Sequence, residues 1–208
     1  MPAPGWRSPE RFFDLGLGAS VIGWGLAALL RAPPEAALSP VRLGVAGLHL
    51  TVGLLFFGRA AAEAEAPGGP RRLAMALPSL LVSGLAFQAA PAPEAWPFFM
   101  GWFFAAAAAL TALSLASLGR SFSVLPARRA LVRGGPYRLL RHPAYAGELL
   151  LLQTVGAAAG EPWVQVLCLL VAPLTILRIE AEEELLRADP AWEAYAAAVP
   201  WRLCPGLY

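Results

Sequence analysis

The sequence predicts an all-α fold, a polytopic integral membrane bundle of about six transmembrane helices with no Rossmann domain, and three observations predict it. The 208 residues are 58% hydrophobic and 14% charged, with a mean hydropathy of +0.57, where a soluble domain carries about 25% charged residues. Apolar windows near the roughly 17–25 residues that a helix needs to cross a bilayer fall at 12–30, 41–58, 73–90, 97–118, 144–159 and 163–177. The basic residues, 16 arginines and no lysine, gather in alternate loops between those windows.

The first window follows a polar, Pro-rich start and lacks a recognisable cleavage site, so it reads as a span and not a signal peptide. Asp14 near its cytoplasmic end reads as interfacial. The sets Gly16, Gly18, Gly23, Gly25 and Gly44, Gly47, Gly53 permit close approach of the first two spans, and His49 in mid-span reads as a neutral imidazole bonded to a neighbouring helix. Glu63, Glu65 and Pro67-Gly68-Gly69-Pro70 form a solvated linker to the third span, which ends near Gln88. The fifth window is short and carries Glu148 and Gln153. Only Gly160-Glu161-Pro162 separates it from the sixth, which implies an antiparallel helical hairpin. No internal repeat is seen, although six spans in sequence make three successive helical hairpins that resemble one.

Orientation follows from the excess of Arg in short cytoplasmic loops. With the N-terminus inside, the cytoplasmic segments hold Arg7, Arg11, Arg59, Arg71, Arg72, Arg120, Arg128, Arg129, Arg133, Arg138, Arg141, Arg178, Arg187 and Arg202, and the other side only Arg31 and Arg42. Both termini are then cytoplasmic. The compact chain and its Ala-, Gly- and Arg-rich composition point to a prokaryotic inner or plasma membrane. A net charge of +2 dispersed over several loops excludes a nucleic-acid partner. The two cysteines, Cys168 and Cys204, have no metal-ligand spacing, so two free thiols and no metal site are expected.

Polar groups buried unpaired in hydrocarbon cost several kcal/mol, so the segment from Gly135 to Glu148, between the fourth and fifth spans, stands out. Gly134-Gly135-Pro136 allows tight turning and close backbone approach, and Pro143 suits a first helical turn. If the helix begins near Arg141, then Arg141, Tyr145, Glu148 and Leu152 share one face. Each residue singly fits an interfacial belt of aromatic rings and lipid-binding arginines; His142 and Glu148 add groups that an anchor does not need. A second cluster, Arg178 to Arg187, follows the sixth span, on the same side of the membrane as the first. Arg178 and Glu182 stand four apart and can pair; Glu183 and Arg187 have the helix-stabilising order. Four carboxylates in five residues repel one another, and a carboxylate poised near a cationic ligand explains Glu182 and Glu183 better than a solvated helix end does.

Leu118-Gly119-Arg120-Ser121-Phe122-Ser123, Leu131-Val132-Arg133-Gly134-Gly135-Pro136-Tyr137, Arg141-His142-Pro143-Ala144-Tyr145-Ala146-Gly147, Arg178 to Leu186 and Trp192 to Pro205 follow one another in order. Together they resemble the C-terminal half of the isoprenylcysteine carboxyl methyltransferase family, which is related to membrane phospholipid methyltransferases. The resemblance divides the chain into an N-terminal region, 1–117, of scaffold and substrate-selecting helices, and a methyltransferase-like region, 118–208. It implies S-adenosylmethionine as methyl donor and a lipidic or amphipathic acceptor reached from membrane lipid. By motif position Gly135, Pro136, Tyr137, Arg141, His142, Pro143 and Tyr145 would line the cofactor pocket, with Glu182 or Glu183 fixing polar parts of the cofactor. Arg178 would orient the acceptor and Glu182 would orient Arg178, or accept the proton of an amine acceptor. Trp192 stands where the family commonly has Tyr, and Trp201 precedes the usual Arg, Arg202.

Two other readings stand beside this one. Glu148 after Tyr145-Ala146-Gly147 is similar to the membrane sterol reductases, which share an Arg-His-Pro-x-Tyr core and use NADPH. A non-catalytic lipid-binding membrane protein would keep the architecture without turnover. The Gly-Pro-Tyr opening and the Arg178-to-Glu183 spacing favour the methyltransferase.

Overall fold

In the computed structural model, residues 9–33, 38–58, 69–124 and 130–208 are described. They form α1 (Pro9–Leu30), α2 (Pro40–Gly58), α3 (Gly69–Gln88), α4 (Phe98–Leu118), α5 (Pro143–Ala159), α6 (Pro162–Leu186) and the short α7 (Trp192–Ala198), and no strand occurs among the described residues. The linker carrying Glu63 and Glu65 lies outside them.

Each of the six apolar windows is a helix. Four helical stretches, Phe12–Leu30, Pro40–Gly58, Phe98–Ser121 and Pro162–Leu186, are long and apolar enough to cross a membrane, while the apolar part of α3, Leu73–Gln88, and α5 are shorter. The largest departure from the windows is α6, which does not end at residue 177 but continues to Leu186. The Glu-rich stretch is therefore the last turns of the same helix. Its side chains are held in register with the core, and this continuity positions the site.

Apolar side chains face both ways, as expected where lipid and not water surrounds a bundle. Phe12, Trp24, Leu30, Phe103, Leu113 and Trp163 are exposed, while Phe104, Leu151, Leu152, Val155, Val164 and Val171 form the buried core where α4, α5 and α6 meet. In order of packing, α1 lies on α2, α2 on α4, α4 on α5 and α5 on α6, and α3 returns to pack chiefly on α6. The first and last pairs are hairpins; α3 and α4 do not form the expected middle one, because α3 takes the face of α6 instead.

Close approach is concentrated at some of the glycines. A side chain at Gly18 would strike the Gly53 carbonyl, and one at Gly25 the Cβ of His49, whereas Gly16, Gly23 and Gly47 face open space. Gly147 presses α5 so closely on Thr111 of α4 that no side chain fits there. His49 is not bonded across to another helix: its Nδ1 meets the carbonyl of Val45 one turn back at 2.8 Å. Asp14, in the first turns of α1, is buried. At the opposite end of the bundle from the motif segment, Arg42 donates to the Ala28 carbonyl at 2.9 Å and pairs with Glu94, tying α1, α2 and the turn before α4 together.

Candidate active site

The segment between α4 and α5 ends in a 3-10 turn, Gly135–Arg138, that opens with Gly135 at φ +59°. In that conformation only glycine is unstrained, and a Cβ would also collide with Ser117 Oγ of α4. Gly135 thus seats the turn on α4 and brings Tyr137 inward, where it is buried. Burial, then the charge of Glu182, push the Tyr137 phenol well above its ordinary range, and burial pushes Tyr195 up to about 12. Both remain protonated, and Tyr195 Oη of α7 donates to the Tyr137 carbonyl at 2.9 Å.

Helix α5 starts at Pro143, with His142 as its N-cap residue. Arg141 therefore precedes the helix and does not share the face of Tyr145. Tyr145, Glu148 and Leu151 line the same cavity, and Leu152, buried in the core, does not. The His142 ring stacks parallel to Tyr145, interplanar angle 3°, centroids 5.5 Å apart. The Arg178 guanidinium of α6 lies 4.6 Å from the centre of the Tyr145 ring. Tyr145 Oη donates to Glu182 Oε2 at 2.5 Å, a short bond of the kind charged acceptors make.

Arg178 does not pair with Glu182. Its Nη2 donates to the Val124 carbonyl at 3.0 Å, and its Nη1 lies 3.5 Å from Glu148 Oε2, whose other oxygen accepts from Ser83 Oγ of α3 at 3.0 Å. The i,i+4 relation on α6 thus yields to a cross-helix partner, since a carboxylate from α5 and a carbonyl from the loop reach the guanidinium together. Arg178 Nε is buried without a hydrogen-bond partner. An unmet buried donor costs about 1–3 kcal/mol.

These side chains line one end of a cavity of about 290 Å³, near the lower bound of about 300 Å³ for small-molecule sites. Of the sequence-predicted residues, Tyr137, His142, Tyr145, Arg178 and Glu182 line it, with Glu148. Gly135, Pro136, Arg141, Pro143 and Glu183 do not. The rest of the lining is mostly apolar, with Leu48 and Val52 from α2, Leu80 and Phe87 from α3, Leu115 and Leu118 from α4, and Phe122, beside the hydroxyl residues Thr111 and Ser123. Aromatic rings, two carboxylates and a guanidinium suit a zwitterionic cation, and the apolar lining suits a hydrocarbon chain. The chemistry of S-adenosylmethionine, with its sulfonium, amino and carboxylate groups, fits the polar end.

Glu183 faces away from the cavity. It accepts from Arg141 Nη1 at 2.9 Å, from Arg202 Nε at 3.0 Å and Nη2 at 2.7 Å, and lies 3.2 Å from His142 Nε2. Hydrogen bonding to Glu183 holds the Arg202 guanidinium even above its ordinary range. It is Arg202, and not the expected Arg187, that pairs with Glu183. Trp192 is buried with Arg141 6.0 Å from its ring centre, and Trp201 is partly exposed. Residues 199–208 double back over this cluster: the Trp201 and Arg202 carbonyls accept from the N–H groups of Arg141 and His142 at 2.9 and 3.0 Å. Ser83, Val124 and Arg202 carry no local sequence signal for these contacts, which join residues 19 to 65 positions apart.

Residues 97–189 match the family model of phospholipid methyltransferases. The match begins at the start of α4 and takes in the polar residues of the cavity from Tyr137 to Glu182. No curated protein matches the chain.

Proposed function

We propose, with the match of residues 97–189 to the phospholipid methyltransferases as premise, that the chain is an integral membrane methyltransferase that uses S-adenosylmethionine on a lipidic or amphipathic acceptor of the isoprenylcysteine carboxyl methyltransferase type. The observation that carries the reading is the single cavity in which Tyr137, His142, Tyr145, Glu148, Arg178 and Glu182 face apolar walls from α2 and α3. The excess of arginine in the loops at this end supports a cytoplasmic site and cytoplasmic termini.

S-adenosylmethionine, when bound, supplies a methyl group on a sulfonium cation. Glu182, Glu148 and the Tyr137 ring stabilise a cation at the polar end. Tyr145 is already stacked with His142 and Arg178, so its part is to hold Glu182 through its hydroxyl. Arg178, fixed by Glu148 and the Val124 carbonyl, sets a positive charge at the cavity wall for a carboxylate of the acceptor or cofactor. Glu148 takes the orienting role first given to Glu182. With a carboxylate acceptor no base is needed; with an amine acceptor, Glu182 receives the proton. Residues 1–117 then select the acceptor through Leu48, Val52, Leu80 and Phe87, and the apolar wall excludes water around the reacting groups, where near-attack alignment supplies much of the rate.

An NADPH-dependent reductase is supported less well. Arg178 is the one arginine lining the cavity among the described residues, against two carboxylates, and dinucleotide phosphates call for more cations. Arg128 and Arg129 lie outside the described residues. Binding to the purified, detergent-solubilised chain tests the choice: micromolar affinity for S-adenosylmethionine or S-adenosylhomocysteine with none for NADPH is expected, and the reverse overturns the reading.

A further inference from the structure

Glu182 and Glu183 are adjacent on α6 and do opposite things. Glu182 lines the cavity and holds Tyr145; Glu183, its side chain 1% exposed, gathers Arg141, Arg202 and His142 behind the cavity wall. His142 is where the two sides meet. Its Nε2 is 3.2 Å from Glu183 Oε1, and its Nδ1 is 3.9 Å from Glu182 Oε2, too far for a hydrogen bond. Glu182 Oε2 already accepts from Tyr145.

Glu183 is held by the two guanidiniums of Arg141 and Arg202, so it does not require a third cation, and a single proton on His142 Nε2 suffices for the 3.2 Å contact to its Oε1. A proton fixed on Nε2 leaves the lone pair on Nδ1, because the bond made by one ring nitrogen sets the state of the other. The backbone of 141–142 is held against 201–202 by two hydrogen bonds, and stacking on Tyr145 fixes the ring plane. Nδ1 is thus aimed at the cavity side by three independent constraints. The residues from 190 onward lie outside the family match, so nothing in that match assigns Arg202 a part.

We propose that Glu183 and Arg202 are positioning residues that lock His142 as its Nε2–H tautomer and present Nδ1 to the cavity as an acceptor for an N–H or O–H group of the bound ligand. Only the identity of that ligand rests on the methyltransferase reading; the tautomer does not. Arg202 acts through Glu183: its two-pronged grip fixes the carboxylate where both guanidiniums and the imidazole reach it. Without Arg202, Glu183 rotates toward Arg141 and the Nε2 bond loosens.

The chain has two histidines, His49 and His142, so ¹⁵N-histidine labelling of the full chain in detergent gives two imidazole spin systems, which a His49→Asn variant assigns. At pH 8.5, where an ordinary imidazole is neutral, wild-type His142 is expected as Nε2–H alone. Glu183→Gln and Arg202→Met are expected to bring in the Nδ1–H form, and Arg202→Lys, which keeps the charge and one prong, a smaller share of it. Titration with S-adenosylhomocysteine is expected to shift the Nδ1 signal and to weaken about tenfold in Arg202→Met, the order of one hydrogen bond lost beside charged groups. Should Arg202→Met fail to fold, Glu183→Gln and the wild-type spectrum decide. Nδ1–H or doubly protonated His142 in the wild type, or variants that lose binding while His142 stays Nε2–H, overturns the proposal. The locked tautomer with no response to S-adenosylhomocysteine sustains the lock and overturns the methyltransferase reading instead.

Discussion

The α1–α2 and α5–α6 hairpins are both apolar antiparallel pairs, and they differ in what crosses the interface. Between α1 and α2 the contact is mainly one of shape: Gly18 meets Gly53, Gly25 meets His49, the imidazole turns back to its own helix, and Arg42 reaches the Ala28 carbonyl only where α1 ends. Between α5 and α6 it is one of charge and hydrogen bonding: Tyr145 to Glu182, Glu148 to Arg178, Gln153 to Gln165. Lipid gives apolar helices no hydrophobic reason to associate, so the first pair relies on close packing. The second carries polar groups that are costly unless paired. A chain keeps such groups where they do something that packing does not, and the charged residues that line the cavity, Glu148, Arg178 and Glu182, all come from the second pair.

The comparison breaks most sharply at Glu183. Glu183→Ala leaves Arg141 and Arg202 around a buried gap, and removal of one member of a buried ion-pair cluster costs about 3–5 kcal/mol. A large fall in the thermal unfolding midpoint in detergent is expected. A fall no greater than that of a surface variant would show that the cluster is solvated. Next is Arg178→Ala in folded protein, expected to lower methyl transfer on the order of a hundredfold, the usual effect of removing a charge-stabilising donor. Glu182→Ala is expected to follow it, and undiminished transfer in both would end the assignment of this cavity as the active site.

The fold was legible to a large degree because each span leaves a long apolar window and because arginine marks one set of loops. The end of α6 was not, since hydropathy falls at Arg178 although the helix goes on. The ordered motif pieces contain Tyr137, His142, Tyr145, Arg178 and Glu182 of the cavity lining, together with Gly135, Pro136, Arg141, Pro143 and Glu183, which lie outside it, and four-residue spacing points to the wrong partner for Arg178: spacing says which side chains share a face, not what a neighbouring helix brings to it. Glu183 was read beside Glu182 as a ligand-facing carboxylate, yet adjacent helix positions differ by about 100° in direction, which separates cavity from clamp. Arg202 reaches Glu183 only because the chain reverses after α7.

A milder break is to overfill the packed hairpin. Gly25→Val forces a side chain against His49 and is expected to cost about 1–3 kcal/mol while S-adenosylhomocysteine affinity stays within twofold. A change in affinity larger than the change in stability would mean that the α1–α2 pair shapes the cavity through α2.

The smallest expected effect lies within the polar hairpin itself. Gln153 Oε1 accepts from Gln165 Nε2 at 3.1 Å, and its own Nε2 reaches the Cys168 carbonyl at 3.4 Å, all on the part of α5–α6 beyond the cavity. Interhelical side-chain hydrogen bonds in membranes average about 0.6 kcal/mol because the separated helices also find partners. A double-mutant cycle of Gln153→Leu and Gln165→Leu is therefore expected to give a coupling of that order, with methyl transfer untouched. A coupling several times larger would mean that polarity alone holds α5 to α6, and the charged residues next to the cavity would then be explained by assembly. A small one leaves their cost to be explained by what they bind.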